Sequence, residues 1–255
     1  MNIIQRFMTN NPCYKAGRKI SVKGLMLHSV GCPQPSATVF INSMNKSSYS
    51  TACVHGFIDA NTGDVYQTLP WNHRGWHGGG SSNNTHIGVE MCEPSCITYT
   101  NGGKFTVSDM AKAKEAVSKT YKSAVELFAY LCTEYGLNPL KDGVIISHSE
   151  GYKRGVATNH GDPEHLWRGL NMGYTMDGFR KDVYNKMNNV LIDESENAMK
   201  IEDIKGHYAE KHILDLYNMG VVNGVDKTHF KPDETIKRGD VAIMVRNAIR
   251  YITGK

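Results

Sequence analysis

No stretch of the chain is long and apolar enough to cross a bilayer as a helix, and the expectation is a protein without membrane insertion. The opening residues, Met1-Asn2-Ile3-Ile4-Gln5-Arg6-Phe7-Met8-Thr9-Asn10, also lack the apolar core and small-residue cleavage site of a secretory leader. The expectation is a protein made in the cytoplasm without a signal peptide, so that work beyond the membrane requires release by another route. Excess charge is equally scarce. Lys and Arg number 29 against 25 Asp and Glu, a net charge of +4, and no basic run of the kind that tracks a phosphate backbone appears. Nucleic acid is therefore excluded as a partner, although a mild positive balance can still favour approach to an anionic surface. The six cysteines (Cys13, Cys32, Cys53, Cys92, Cys96, Cys132) have no paired metal-knuckle spacing. Most lie in apolar stretches, where free Cys acts as a small hydrophobe, and reduced thiols suit a reducing cytoplasm. What is there is ordinary: 255 residues, 40% hydrophobic and 21% charged, enough for one large domain or two smaller ones with real cores.

Residues 1–187 alternate between strand and helix signals. Gly24-Leu25-Met26-Leu27-His28 is an apolar run ending in a polar residue, as at the end of a buried strand. Residues 52–58 and 64–69 flank Ala60-Asn61-Thr62-Gly63 and predict a hairpin. His86 to Met91 reads as another strand. Residues 108–135 read as a helix, with Ser108 as N-cap and Val117, Tyr121, Val125, Phe128 and Leu131 at helical spacing. Gly136 fits its C-cap, with Pro139 beyond. Gly143 to His148 repeats the apolar strand ending in His. Residues 188–200 are polar and aperiodic and read as a linker. Residues 201–255 form a separate helix-loop-helix unit, with Ala209, Ile213, Leu216 and Met219 on the first helix and Val241, Met244, Val245, Ala248 and Ile252 on the second.

Two strands that each deliver a histidine, His28 and His148, invite a metal hypothesis. Asp162 follows His148 by 14 residues. Two imidazoles and a carboxylate give Zn²⁺ three protein ligands and leave a fourth position open, the arrangement that activates water against an amide carbonyl. Against this stands the ordinary role of a lone His as a hydrogen-bonded structural residue.

The segments Leu27-His28-Ser29, Trp76-His77-Gly78-Gly79, Ile87-Gly88-Val89-Glu90, Ser147-His148 and His160-Gly161-Asp162-Pro163 occur in order across residues 20–185. In this the chain resembles the N-acetylmuramoyl-L-alanine amidase type 2 family, which includes phage endolysins and is similar to peptidoglycan recognition proteins. The resemblance implies an α/β fold, a central mixed β-sheet flanked by helices. It implies one Zn²⁺ on His28, His148 and Asp162, with Glu90 as catalytic base. Two departures stand out. Many relatives have Lys two residues before the third ligand, where His160 stands here and can donate to an oxyanion in its place. Val54 occupies a position where some relatives have a catalytic Tyr. His55, His77 and Trp76 are candidates for substrate contact. Trp71, Trp76 and Trp167 suit either sugar stacking or the core.

Residues 201–252 resemble a single S-layer homology repeat, carried by Gly206-His207-Tyr208-Ala209, Gly220-Val221-Val222-Asn223-Gly224, Phe230-Lys231-Pro232 and Ile236-Lys237-Arg238-Gly239-Asp240. Such repeats bind secondary cell-wall polymers of Gram-positive bacteria, and the resemblance puts Asp203, Tyr208 and Arg238 in polymer contact. The alternative is that Asp203 and Arg238 only brace the helices. Relatives have three repeats sharing a core, so a single repeat predicts a homo-oligomer. Together these features predict an amidase cutting peptidoglycan between the muramic acid lactyl group and L-alanine, as a phage or prophage endolysin acting at the cell wall after release. A host autolysin and a non-catalytic peptidoglycan-binding protein are the alternatives.

Overall fold

The computed structural model describes residues 1–187, 201–226 and 228–253; the predicted linker, 188–200, lies outside the described residues. The chain begins with β1 (Ile3–Gln5), α1 (Pro12–Ala16), β2 (Gly24–Ser29), α2 (Ala37–Met44), β3 (Gly56–Ile58) and β4 (Val65–Gln67). It continues through β5 (His86–Met91), β6 (Ile97–Tyr99), β7 (Phe105–Val107), α3 (Met110–Glu134) and β8 (Ile145–Ser147). Then come α4 (His148–Lys153), α5 (Glu164–Gly169), α6 (Met176–Met187), α7 (Glu210–Asn218) and α8 (Arg238–Thr253). The chain divides into two compact units, Met1–Tyr184 and Asn185–Lys255. Among the described residues no helix is long and apolar enough to cross a membrane.

In the first unit a six-stranded mixed sheet has the order β1-β4-β3-β5-β2-β8. Strands β3, β5, β2 and β8 run parallel to one another, and β4 turns back antiparallel to β3. All six residues of β2 are buried, which is why it reads as an unbroken apolar run rather than as an alternation. The predicted hairpin is β3–β4, shorter than its sequence signal. Its turn is held by Asp59, whose side chain accepts the N–H groups of Asn61 and Thr62, and by Gly63 at φ 80°. Helix α3 packs on β3 and β5 with a stripe that includes Val117, Tyr121, Ala124, Phe128 and Leu131. Its N-cap is Asp109 rather than Ser108, since the Asp109 carboxylate accepts the Lys112 N–H at 3.0 Å. Gly136 follows its last turn at φ 61°.

Strand β8 ends one residue before the sequence pattern does. Ser147 caps α4 in a reciprocal capping box with Glu150, so His148 is the first residue of a helix and not the last of a strand. The junction is braced further. Ser147 Oγ donates to Glu164, and the Arg180 guanidinium donates to both Glu150 oxygens and to the Ile145 carbonyl.

The second unit has a small core of Ile201, Ile204 and Ile213, with Ala209, Tyr217 and Phe230 packed against it. Ile213 of α7 is buried within this unit. On α8, Val241, Ile243 and Val245 remain exposed.

Candidate metal centre

The parallel ladder of β2 and β5 pairs His28 with Glu90 in register, so both side chains rise from the same face at the carboxyl ends of the strands. On the other side of β2, Leu27 pairs with Ser147, which places His148 next to His28. Carboxyl ends of parallel strands are where open α/β sheets carry their ligands. Asp162 arrives from the loop before α5 and is fixed by the Ser29 N–H, which donates to its Oδ2 at 3.2 Å.

Three donor atoms converge. His28 Nδ1 lies 3.0 Å from His148 Nδ1 and 3.5 Å from Asp162 Oδ2, and His148 Nδ1 lies 3.6 Å from Asp162 Oδ1. Bonds of about 2.0–2.1 Å to a tetrahedral ion give ligand-to-ligand edges of about 3.3 Å. The donor set and its spacing therefore fit a zinc ion, and His28, His148 and Asp162 are all buried. The electrostatics point the same way. Burial pushes the Asp162 carboxyl up, but the His28 and His148 rings and the Ser29 N–H more than offset it, leaving it below its ordinary value. Burial, aided by His28, holds His148 down at about 4, so it is a neutral ligand at neutral pH. For His28 burial opposes protonation, and Glu90 and Asp162 outweigh it, raising its pKa.

Glu90 is partly buried, and its Oε2 has no hydrogen-bond partner. Burial raises its pKa to about 7; His28 opposes the shift, and Asp162 and Glu93 add to it. A carboxylate with a free oxygen and a pKa near neutrality is poised to accept and return a proton. The centre opens into a cleft of about 790 Å³ lined by Ser29, Trp76, Glu90, Tyr99, His160 and His165, among others. His160 stands at its mouth, with its ring stacked on His148 at 4.5 Å and its Nδ1 3.9 Å from Asp162 Oδ1. Trp76 is 45% exposed on the rim, with the Arg74 guanidinium 5.4 Å from its ring centroid. Trp167, by contrast, is buried in the core.

Two residues expected to touch substrate do other work. His55 is fully buried, its Nε2–H donating to the His73 carbonyl at 2.7 Å and its Nδ1 accepting the Gly88 N–H at 3.0 Å. No polar atom of it remains for a ligand. His77 reaches the cleft wall, but its Nδ1 lies 3.1 Å from His28 Nε2 and its Nε2 lies 3.0 Å from the His86 carbonyl. Val54 is buried and offers no phenol substitute. The sequence reading missed Thr158, whose Oγ1 lies 3.3 Å from His148 Nε2. It also missed the β6–β7 hairpin, which brings Tyr99 to within 2.7 Å of both the buried Glu93 and His165. The alternating Ile97-Thr98-Tyr99 was the available signal for the hairpin; a lone Thr before His160 offered none.

In the second unit Asp203 accepts the N–H groups of Phe230 at 2.9 Å and Lys231 at 2.7 Å. It braces the loop where Lys231 adopts φ 57°. Tyr208 is 90% exposed, and Arg238 is exposed at the start of α8.

Residues 17–165 match the N-acetylmuramoyl-L-alanine amidase family, and residues 200–242 match the S-layer homology domain. Among solved structures the chain is similar to the Staphylococcus aureus hydrolase AmiA in complex with its ligand. That match has 21% identity, covers 73% of this chain and 83% of that one, and gives a TM-score of 0.55. It is also similar to the PlyG catalytic domain, at 17% identity over 73% of this chain and 96% of that one, with a TM-score of 0.50. No curated protein matches the chain.

Proposed function

Since the chain belongs to the N-acetylmuramoyl-L-alanine amidase family, it is a peptidoglycan hydrolase, and we propose that His28, His148 and Asp162 hold one Zn²⁺ per chain for that reaction. The observation that carries this reading is the convergence of two imidazole nitrogens and a carboxylate beside the unpartnered oxygen of Glu90. When bound, a zinc ion supplies Lewis acidity toward the scissile carbonyl and acidifies water. Glu90 takes the proton of the attacking water as its oxygen bonds to the lactyl carbonyl carbon. It returns that proton to the nitrogen of L-alanine as the C–N bond breaks. His160 donates an N–H to the carbonyl oxygen as charge develops there, and Trp76 packs against the glycan or peptide on the rim. The test combines metal analysis, reversible inactivation by a chelator, and mass spectrometry of digested walls. Release of free L-alanine amino termini, lost with the metal and restored by Zn²⁺, is the expected result; undiminished lysis by metal-free protein would sink it.

Residues 1–187 form the catalytic part of this reading and residues 201–255 the anchor, joined through 188–200. S-layer homology domains bind secondary cell-wall polymers, and the exposed Tyr208 and Arg238 are the groups we assign to that contact, Arg238 as a charge-assisted fork to an acidic group. The exposed Val241, Ile243 and Val245 support self-association through α8. Light scattering of the full chain tests it, and a clean monomer at micromolar concentration would refute it. We read the whole as an endolysin of a phage or prophage infecting a Gram-positive host. The six free thiols, suited to folding in a reducing cytoplasm, support that reading. Expression inside such a host should cause lysis only once the membrane is permeabilised. Lysis without permeabilisation would count against an enzyme that waits in the cytoplasm.

A further inference from the structure

An imidazole binds a metal through the nitrogen that carries no proton, so each histidine ligand must keep its proton on the other ring nitrogen. His28 and His148 both point Nδ1 at the centre. What fixes their protons on Nε2 is legible in the hydrogen bonds behind them. A carbonyl oxygen only accepts, so the contact of His77 Nε2 with the His86 carbonyl places a proton on His77 Nε2. Because His28 turns Nδ1 to the centre and keeps its proton on Nε2, the 3.1 Å contact is His28 Nε2–H donating to the Nδ1 lone pair of His77. Behind His148 the same logic runs through a hydroxyl. Thr158 Oγ1 lies 3.3 Å from the Gly78 carbonyl, where its hydrogen is used, and 3.3 Å from His148 Nε2, whose N–H it then accepts.

Both relays use one short segment, the first passing through His77 and the second ending on the Gly78 carbonyl. We infer that the Trp76–Gly80 loop sets the tautomer of both metal-binding histidines, with His77 and Thr158 as positioning residues. This inference rests on the zinc reading above. The packing explains why the loop is rich in glycine. A Cβ on Gly79 would strike the Thr158 side chain, and one on Gly88, in the strand beneath, would strike the His77 ring. Asn83 Oδ1 accepts the N–H groups of His77 and Gly78, each at 2.9 Å, so a single side chain locks the backbone that serves both relays. Partners of this kind orient a ligand and raise its basicity, and losing one costs about 10–100-fold in metal affinity.

The experiment is a zinc titration of the full chain against a chromophoric chelator, with ring-nitrogen NMR of the zinc-loaded wild type. His77→Phe removes the acceptor and should weaken zinc binding about 10–100-fold. His77→Gln keeps a carbonyl able to accept from His28 and should retain most of the affinity. Thr158→Val should weaken binding less, consistent with its longer contacts, and Thr158→Ser should restore it. The NMR spectra should show protons on Nε2 of His28 and His148. Unchanged affinity in His77→Phe, or a proton on Nδ1 of either ligand, overturns the inference while leaving the zinc site standing. Failure of the wild type to bind zinc overturns both. Should His77→Phe not fold, His77→Gln and the wild-type NMR still decide: a Gln variant that binds zinc as weakly as His28→Ala contradicts the acceptor role.

Discussion

Two aspartates, one in each unit, divide the molecule by what occupies their lone pairs. Asp162 accepts one backbone N–H and turns its remaining capacity toward two imidazoles in a cleft. Asp203 gives both oxygens to the N–H groups of Phe230 and Lys231. The first is held in place with capacity to spare, which suits a ligand. The second uses both oxygens to brace its own loop. In sequence both are acidic residues in matching motifs, and only the bonding separates a group that can act on something else from one that maintains the fold.

The strongest challenge to this comparison is removal of the first aspartate. Asp162→Ala, like His28→Ala or His148→Ala, should abolish wall hydrolysis and zinc binding together, measured by metal content and turbidity loss. Retained activity in Asp162→Ala would erase the distinction. Glu90→Gln keeps shape and hydrogen bonding but removes the base, so turnover should fall on the order of 10²–10⁴-fold. Its zinc content should hardly change; stoichiometric loss of zinc would make Glu90 a ligand instead. Removing residues 188–255 should leave hydrolysis of soluble muropeptides intact and slow attack on intact walls. Arg238→Ala should weaken wall sedimentation without altering either soluble activity or oligomeric state.

A smaller effect comes from His55. Burial holds its pKa at about 4, below the ordinary 6.5, so the unfolded chain binds this proton more readily than the folded one. Its contribution to stability is complete above pH 6.5 and is lost as pH falls toward 4, about 3 kcal/mol in all. Denaturant unfolding of the wild type and His55→Gln across that window should show the mutant with the shallower decline; identical slopes would remove His55 as the cause. The smallest effect is expected for Asp203→Ala. Amide exchange at Phe230 and Lys231 should quicken while zinc content and turnover on soluble substrate stay unchanged.

The parts of the fold legible in sequence were those whose signal is local. The run Gly24–His28 is apolar because both faces of β2 are covered, and the residues at His86–Met91 carry the strand pattern for the same reason. His28, His148 and Asp162 were legible as a set through order and resemblance. What stayed hidden depends on pairing across the chain. His148 looked like a strand end because the capping box with Glu150 sits inside an apolar-to-polar transition that either element could produce. The work of His55 and His77 is set by carbonyls of His73 and His86, and nothing in a residue's type announces which carbonyl it will meet. The bonds that Asp203 makes were hidden too, because a loop closing on it from Phe230 leaves no trace at position 203 itself.

The in-register pairing of His28 with Glu90 bears on how this protein can change. Side chains alternate faces along a strand, so one residue inserted or deleted within β2 or β5 would turn the ligand or the base to the far side of the sheet. Those two strands can therefore accept substitutions but not length changes. The β6–β7 hairpin, a separate two-stranded sheet that brings Tyr99 to the cleft, is outside that register, so length variation there should reshape the cleft wall without turning either side chain. Grafting that hairpin between relatives, with β2 and β5 kept at fixed length, is the natural route to a changed wall preference.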